Sequence, residues 1–379
     1  MIKKILFFLT FILLVASSYF IWAFSQKKDL IIPYPYSFND NAKLEIKDEL
    51  NSAQSAKILI VGDRMAEALN SYTDELKAEL ALNFKKAPEI YNWAKTHEGL
   101  HRTLFKLKAL KVIPPIIIYH GASSELYEKI FSVEDKEAIL KNFSVYDNEK
   151  IISLIITFPI LSKYFYKKTK YYELGSIKEY NNQNFGLDKL SEKEVSFKIF
   201  ENELHELIDL VKVNKSNLIF ITTPINLEIA PKEVCSQSMT NTIVEVQQEI
   251  EGLIKEGNYK LAYSNALELS AETNSNAKSF FLLGQASLGN GDLKSAKNAL
   301  AKAAVFDCSN WRGNAVYNAL LKKVSKQRQI PIIDFDQYLS SSLSKEGLFI
   351  DEIFPQNIYY HTMMTDLKEI LKKFLSVND

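Results

Sequence analysis

Short apolar runs bounded by turn-forming residues recur along most of the chain. Their length and their content of Val, Ile, Phe and Tyr are typical of strands that are buried on both faces. The five runs are Lys57–Val61, Glu89–Trp93, Pro115–Tyr119, Asn217–Thr222 and Gln329–Asp334. Segments with helical periodicity, such as Met65–Phe84 and Gly99–Leu110, lie between them. This alternation predicts βαβ units and a parallel sheet covered by helices.

Functional residues of such sheets lie where the carboxyl ends of the strands meet. A polar segment follows each of the five predicted strands, and these segments are therefore where we expect a site. They are Gly62-Asp63-Arg64, Ala94–Gly99, His120–Glu125, Thr223–Asn226 and Asp334–Asp336.

The most apolar segment lies at the amino terminus. The run Ile5–Phe24 has twenty residues, interrupted only by one threonine and two serines, and can cross the roughly 30 Å hydrocarbon core as a helix. We predict an uncleaved transmembrane signal anchor over residues 1–28, because a secretory signal has a shorter apolar core. Cleavage near Ala23-Phe24-Ser25 is the alternative. The prediction is a single-pass protein of the bacterial inner membrane, with a cytoplasmic N-terminus, a stalk over residues 29–55 and a periplasmic body.

A second apolar stretch, Ile151–Tyr166, contains Ile155, Phe158 and Tyr164 and runs into several lysines. Its sixteen residues are too few to span a bilayer, and Pro159 interrupts it. It is either a surface that rests on the membrane or docks a partner, or a core helix with a basic exit.

Residues 243–306 are Ala-rich and repeat. Gly257-Asn258-Tyr259 recurs as Gly291-Asp292-Leu293 at an offset of 34 residues, which is the tetratricopeptide (TPR) length. The second copy matches the TPR pattern of large, Leu-Gly and small positions at Phe280, Leu283, Gly284, Ala296, Leu300 and Ala303. The first copy matches only in its second half, so we expect one good repeat and one partial repeat, unless this is an ordinary helical hairpin.

This repeat divides the body of the chain into three parts. We predict an α/β domain over 56–242 and 311–379, with a TPR-like helical insertion over 243–310. Four apolar positions of the insertion are candidate partner contacts: Tyr259, Phe280, Leu283 and Leu293.

Charge excludes one class of function. The 379 residues include 46 Lys+Arg and 46 Asp+Glu, and 47% are hydrophobic, which describes an ordered globular chain without the basic excess that nucleic acid binding needs. Arginine accounts for only four of the basic residues: Arg64, Arg102, Arg312 and Arg328. No nucleic acid partner is expected.

Cysteine and metal-ligand spacing add little chemistry. Cys235 and Cys308 lie in the part predicted to be exported, where a disulfide is permitted. They form either a bridge or two buried thiols. The His, Cys, Asp and Glu residues show no metal-ligand spacing and the chain lacks the Gly-rich nucleotide signatures, so we predict neither metal nor cofactor.

The string Ile58 to Glu67, with Gly62-Asp63-Arg64 at its centre, resembles the first block of the SGNH/GDSL hydrolase family. In that family a strand runs into Gly-Asp-Ser and the serine is the nucleophile. The fifth block, Asp-x-x-His-Pro, is similar to Asp351–Pro355, in which Phe354 occupies the position of the histidine base. The third block supplies an oxyanion asparagine, whereas the corresponding stretch here begins His120-Gly121-Ala122-Ser123 and has no asparagine.

The order of further segments strengthens this resemblance. A branch of the family with TPR insertions has a Thr-Pro-x-Asn-Leu segment, a repeat hairpin and then a strand that ends in an aspartate. Thr223–Leu227, the repeat region and Ile330–Asp334 follow that order. The resemblance implies an SGNH-like, flavodoxin-type, three-layer α/β fold with an inserted helical hairpin.

The resemblance also implies that catalysis has been lost. Gly62, Asp63, Gly121 and Asp351 are retained, but Arg64, Ser123 and Phe354 stand at degenerate positions. Arginine has no acceptor and stays protonated, so it can serve as neither nucleophile nor base. Arg64 is expected to form a structural ion pair with Asp63 or Asp351, or to bind an anion.

Two functions remain. The first is a non-catalytic, membrane-anchored periplasmic adaptor, scaffold or chaperone that stabilises a protein complex of the envelope, such as export, motility or polysaccharide machinery. The second is a divergent SGNH-type esterase or O-acyltransferase acting on an envelope glycan. It would need a relocated pair drawn from His97, His101 or His120 and from Ser123 or Ser124.

Overall fold

The structure is a computed structural model. It describes residues 10, 14–15, 17–18, 30–32, 42–84, 87–126, 169–171, 187–234, 240–343 and 347–376. Most of the predicted anchor, and all of Ile151–Tyr166 with Ile155, Phe158 and Tyr164, lie outside these residues. None of the helices in the described part of the chain combines the length and the apolarity that a bilayer crossing requires.

The chain forms two compact units. The first comprises residues 1–35 and 130–180 and the second residues 36–129 and 181–379. Within the first unit, strand β1 (Leu30–Ile32) pairs in parallel with strand β5 (Thr169–Tyr171).

The second unit carries the sheet and the helices considered below. Its strands are β2 (Ile58–Gly62), β3 (Ile90–Asn92), β4 (Ile116–His120), β6 (Asn217–Ile221) and β7 (Ile332–Ile333). Its helices are α1 (Ala42–Ser55), α2 (Arg64–Glu67), α3 (Asn70–Ala81), α4 (Leu100–Lys108), α5 (Leu187–Val213), α6 (Asn241–Lys255), α7 (Tyr259–Thr273), α8 (Ala277–Gly289), α9 (Leu293–Phe306), α10 (Ala315–Arg328), α11 (Phe335–Ser340) and α12 (Asn357–Ser376).

The five strands form one parallel sheet in the order β3-β2-β4-β6-β7. Counted from β2, this is the 2-1-3-4-5 order of flavodoxin-type sheets. All five predicted strands are present. They could be recognised in the sequence because a strand that is buried on both faces consists of a nearly continuous run of apolar residues. The predicted α/β class with a parallel sheet is confirmed.

Helices cover both faces of the sheet and create two apolar cores. On one face, helices α1, α4, α5 and α10 pack around Leu59, Ile117 and Phe220. On the other face, α3, α11 and α12 pack around Ile60 and Ile118. The three layers follow from the alternation of side chains along each strand, which sends successive residues to opposite faces.

Two local predictions need correction. The second half of the predicted stalk is helix α1, and Ala53 in it is fully buried in the core. The predicted helix Met65–Phe84 is two helices, α2 and α3, because the chain turns at Ala68 and Leu69 between them. Both differences arise from tertiary packing, which overrides local composition.

The insertion consists of two complete helical hairpins, α6–α7 and α8–α9. The first hairpin was expected to be partial, but α6 supplies its missing half through the buried Ile250. The two helices of the second hairpin approach closely at Gly284, where a Cβ atom would lie 2.5 Å from Leu300 Cδ2. The small residue at this position is therefore required by the packing of α8 on α9.

The candidate partner contacts in the insertion separate into two groups. Phe280 and Leu283 are buried, and the Phe280 ring stacks on Phe306 with 5.6 Å between centroids. They therefore close the hairpin and do not present a surface, contrary to the prediction. Tyr259 is half-buried, and Leu293 is 48% exposed.

The insertion is fixed to the α/β body through α9. Ala296, Leu300 and Ala304 form one apolar cluster with Ile225 and Leu227, which follow β6, and with Leu343. The segment after β6 also pairs with the end of α9, because Cys308 N donates to Glu233 O at 3.1 Å. Cys308 itself is disulfide-bonded. Cys235 is the only other cysteine of the chain and lies outside the described residues.

Candidate functional site

The predicted site lies at the carboxyl ends of β2 and β4, where the strand order of the sheet reverses. Crevices at such reversals are the usual ligand sites of open parallel sheets. Gly62 brings the two strand ends together: its φ is +133°, and a Cβ atom there would lie 2.1 Å from His120 O. Only glycine fits this position, so Asp63 and Arg64 are held directly against the turn after β4.

Arg64 is buried at the start of α2, with 7% of its surface exposed. Its Nε donates to Ser123 Oγ at 3.2 Å, and an Nη atom donates to Trp311 O at 2.7 Å. The guanidinium therefore joins the turn after β4 to the segment that follows the helical insertion. The sequence placed Arg64 at the nucleophile position, but it predicted Asp63 or Asp351 as its partner.

Asp63 and Ser123 complete this arrangement. Ser123 donates to Asp63 Oδ2 from its backbone N at 2.6 Å and from Oγ at 2.7 Å. Asp63 Oδ1 accepts from Met65 N at 2.9 Å and so caps α2. Burial raises the pKa of Asp63, while the hydrogen bonds from Ser123 and the charge of Arg64 act in the opposite direction. Asp63 and Arg64 are thus linked through one serine hydroxyl.

The region that resembles the fifth block has no catalytic geometry. Asp351 is exposed, and its Oδ1 accepts from Ile353 N at 2.7 Å and from Phe354 N at 2.6 Å. The carboxylate therefore stabilises its own turn and does not orient a base. Phe354 is half-buried, and its backbone O accepts from Ile350 N.

Two of the histidines that were candidates for a relocated base, His101 and His120, have other surroundings than a serine hydroxyl. Among the described residues, the Ser123 hydroxyl hydrogen-bonds to Arg64, Asp63 and the Ser124 hydroxyl. Neither serine hydroxyl bonds to a histidine ring of this part of the chain. His101 Nδ1 lies 2.6 Å from Glu203 Oε1. His120 is buried beside Phe335, and this burial lowers its pKa to about 4.

A second buried polar cluster adjoins the crevice, and sequence reasoning missed it. Asp307 Oδ2 accepts from Trp311 Nε1 at 3.0 Å and lies 3.3 Å from Arg312 Nη2. Its Oδ1 accepts from Glu233 N at 3.2 Å and from Ser309 N at 3.0 Å. The scarcity of arginine was the signal in the sequence that could have revealed this cluster. Arg64 and Arg312 are two of only four arginines, and Arg64 binds the backbone of Trp311, the residue before Arg312.

Arg312 extends this cluster to the segment after β6. Its Nη1 donates to Asn226 O at 2.7 Å and to Ile229 O at 3.0 Å. The guanidinium also lies 4.8 Å from the centre of the Trp311 ring. The predicted polar stretch Thr223–Asn226 thus contacts the segment that follows the insertion. At its other end, Thr223 N donates to Asn318 Oδ1 at 3.0 Å.

The space beside Ser123 is small. A cavity of about 20 Å³, enough for about one water molecule, is lined among others by Ser123, Glu125, Lys193 and Arg312. Burial raises the pKa of Glu125 well above its usual value, with the charge of nearby Glu203 acting in the same direction. Burial also lowers the pKa of Lys193 to about 8.

The described residues contain no group of three or more His, Cys, Asp or Glu side chains that could hold a metal ion. Among the described residues, the crevice brings together a buried arginine, a serine and an aspartate, which are linked by hydrogen bonds through the serine hydroxyl.

Comparisons with known proteins found likenesses in structure only. No family model matches the chain, and no curated protein matches it. The chain is similar to a candidate acylhydrolase from Bacteroides fragilis, with 10% identity and a TM-score of 0.40 over 89% of this chain and 100% of that one. It is also similar to a GDSL-like lipase from Bacteroides thetaiotaomicron, with 10% identity and a TM-score of 0.38 over 87% of this chain and 97% of that one. Likeness at this identity concerns the fold alone.

Proposed function

We propose that this chain is a non-catalytic adaptor or scaffold that has an SGNH-like fold and stabilises a protein complex of the bacterial envelope. The observation that carries the proposal is the position of Arg64. It stands where the family keeps its nucleophile, and its side chain binds Ser123 Oγ at 3.2 Å and Trp311 O at 2.7 Å. A side chain that closes the crevice in this way has a structural role.

Three further observations support the absence of catalysis. Phe354 occupies the base position and cannot transfer a proton. Asp351 directs its carboxylate to the backbone of its own turn. The cavity next to Ser123 holds about one water molecule. Together they leave the fifth-block region without a base and without a residue that would orient one.

The adaptor role draws on the helical insertion. Two hairpins joined at an offset close to the TPR length form a TPR-like pair, a unit that commonly binds peptides or helices of partner proteins. Leu261, Leu267 and Leu293 are each 46–48% exposed on its second helices. We propose that this surface contacts a protein partner, and that the predicted anchor keeps the chain at the inner membrane.

A specific observation favours the second candidate, an SGNH-type esterase or O-acyltransferase acting on an envelope glycan. Ser123 Oγ lies 2.7 Å from Asp63 Oδ2, and burial raises the pKa of that carboxyl, which is the direction a general base requires. The arrangement is nonetheless unfavourable for a nucleophile, because Arg64 Nε donates to the same oxygen.

Covalent labelling separates the two functions. The full chain in its membrane is treated with a fluorophosphonate probe, beside the variant Ser123→Ala. The adaptor predicts no labelling of either protein. Labelling of the wild type that Ser123→Ala abolishes would replace the adaptor with the enzyme.

Capture of a partner tests the adaptor directly. Crosslinking in membranes is carried out with the wild type, with Leu293→Glu in the insertion and with Ile358→Glu in α12. The last variant is the matched control, because Ile358 is also an exposed aliphatic residue, with 66% of its surface exposed. We expect one protein to be recovered with the wild type and with Ile358→Glu, and to be lost with Leu293→Glu. Recovery of no stable partner with the wild type would contradict the proposal.

A further inference from the structure

The edge of the sheet opposite the crevice carries three highly exposed aliphatic side chains of the α/β body. Leu82 is 86% exposed, Val112 62% and Val213 82%. Leu82 and Val112 lie in the connections that lead into β3 and β4, and Val213 is the last residue of α5, at the start of the connection into β6. We call this set of connections the amino-end edge.

The register of the sheet places these connections side by side. Ile58 of β2 aligns with Ile90 of β3 and with Ile116 of β4, and Ile116 aligns with Asn217 of β6. Neighbouring strands are about 4.8 Å apart. Val112 precedes Ile116 of β4 by as many residues as Val213 precedes Asn217 of β6. Since Ile116 and Asn217 are aligned on adjacent strands, the two valines belong to neighbouring chain segments.

Lysines flank the exposed valines. Lys111 precedes Val112, and Lys212 and Lys215 stand on either side of Val213. All three are exposed, and no carboxylate among the described residues forms an ion pair with any of them. The acidic residues nearby are already engaged, since Glu206 pairs with Lys108 and Asp209 pairs with Arg328.

Helix dipoles explain only part of this pattern. Cations are stabilised near the carboxyl ends of helices, and α4 and α5 end at this edge. The dipole does not explain valine side chains that are 62% exposed in the connection before β4 and 82% exposed at the last residue of α5. Lys212 Nζ donates to Arg328 O at 3.5 Å, but none of the three lysines has a carboxylate partner among the described residues. Aliphatic residues flanked by such lysines are typical of surfaces that enter the interface of an anionic membrane.

We propose that the amino-end edge rests on an anionic phospholipid surface, with Val112 and Val213 in the headgroup region and Lys111, Lys212 and Lys215 on the lipid phosphates. Two neighbouring chain segments at one edge suit a flat surface, whereas a partner helix needs a continuous groove. The chain has equal numbers of acidic and basic residues, so the attraction is local to this edge. The proposal is independent of the adaptor or enzyme role of the crevice.

Site-directed fluorescence tests this contact. The described residues contain no free cysteine, so Val112→Cys, Val213→Cys and Leu261→Cys can each be labelled with a polarity-sensitive dye, the last as an exposed control in α7. The full chain is reconstituted in vesicles of phosphatidylcholine, with or without phosphatidylglycerol. We expect a blue shift and quenching by brominated lipid for the dyes at 112 and 213, only with phosphatidylglycerol, and neither change at 261.

The lysines are tested in the same labelled chain. Combined Lys111→Gln, Lys212→Gln and Lys215→Gln should remove the shift, and so should salt at about 1 M, where the Debye length falls to about 3 Å. The matched control, Lys255→Gln, Lys260→Gln and Lys294→Gln in the insertion, should leave it unchanged. Equal shifts with and without phosphatidylglycerol, an equal shift at 261, or no shift at all would overturn the proposal. A shift that grows with protein concentration in detergent alone would assign the edge to self-association instead.

Discussion

At the scale of single residues, Arg64 forms a buried structural link in the crevice. A serine at the start of α2 would present a hydroxyl to the crevice, whereas Arg64 reaches across it to Trp311 O. Its positive charge also acts on the buried Asp63, which needs compensation in a medium of low dielectric constant. Arg64 thus adds a buried link across the crevice that a serine at this position could not make.

Replacement of Arg64 tests this link. Arg64→Met leaves Trp311 O and Ser123 Oγ without a donor and removes the cation beside Asp63. We expect the free energy of unfolding to fall by about 2–4 kcal/mol, measured by urea denaturation. Arg328→Met is the control, because that arginine is partly exposed and pairs with Asp209 at the surface, where an ion pair contributes about 1 kcal/mol or less. Equal losses in the two variants would show that Arg64 is not a structural residue.

The buried His120 predicts a pH dependence. Burial lowers its pKa to about 4, whereas an unfolded histidine has a pKa of about 6.5. Between these values the unfolded chain binds a proton that the folded chain does not, so stability falls as the pH drops, by up to about 3 kcal/mol from this group. His120→Gln should lose this part of the pH dependence, and His361→Gln, at an exposed position, should retain it. Denaturation curves from pH 7 to pH 4 measure the difference, and a parallel profile for His120→Gln would contradict it.

At the scale of elements, the insertion is held together by close approach of its helices. Ala262, Ala266 and Ala286 are fully buried among α6, α7 and α8, and α8 and α9 meet at Gly284. The TPR-like spacing of small residues is therefore a packing requirement, since a larger side chain at these positions would separate the helices.

Two helical glycines provide a matched test. Gly252→Ala in α6 adds a Cβ atom with no neighbour within 4 Å, so it should raise stability by about 0.5–1 kcal/mol through helix propensity. Gly284→Ala places its Cβ atom 2.5 Å from Leu300 Cδ2 and should lower stability by about 1–3 kcal/mol. Thermal denaturation of both variants gives the sign of each change. A stabilising Gly284→Ala would mean that α8 and α9 are not packed as described.

At the scale of the whole molecule, the buried Asp307 cluster fixes the insertion to the α/β body. The Asp307 carboxylate binds Glu233 N in the segment after β6, and Trp311 and Arg312 in the segment after α9. Arg64 binds Trp311 O in the latter segment from the side of the crevice. The orientation of the insertion is thus set by a few buried polar contacts in addition to the apolar cluster around Leu300.

Asp307→Asn tests this attachment. The amide leaves Arg312 without its countercharge and turns an NH2 group toward other donors, so we expect a loss of about 3–5 kcal/mol. Hydrogen exchange should increase in residues 226–234 and 305–314, ahead of the sheet. Asp292→Asn is the control, because Asp292 caps α9 at the surface and asparagine caps a helix equally well. Unchanged protection in Asp307→Asn would place the attachment elsewhere.

Much of the fold was predictable from the sequence, because strands and helices are encoded by periodicities that extend over a few residues. The five buried strands were located in this way, and the parallel α/β class followed from their alternation with helices. The first hairpin of the insertion was underestimated, because α6 lacks the repeat motif and is recognised only by what it packs against. The burial of Phe280 and Leu283 was likewise a matter of packing.

The sequence by itself determined that Arg64 and Phe354 stand in two segments that resemble motifs of a hydrolase family, since a motif position is a local property. The tertiary structure alone decided what Arg64 binds: its partner Trp311 lies 247 positions away, and the two meet only because the insertion folds back on the crevice. The same is true of the Asp307 cluster and of the amino-end edge. Each is assembled by strand order and helix packing from residues whose local sequence carries no trace of one another.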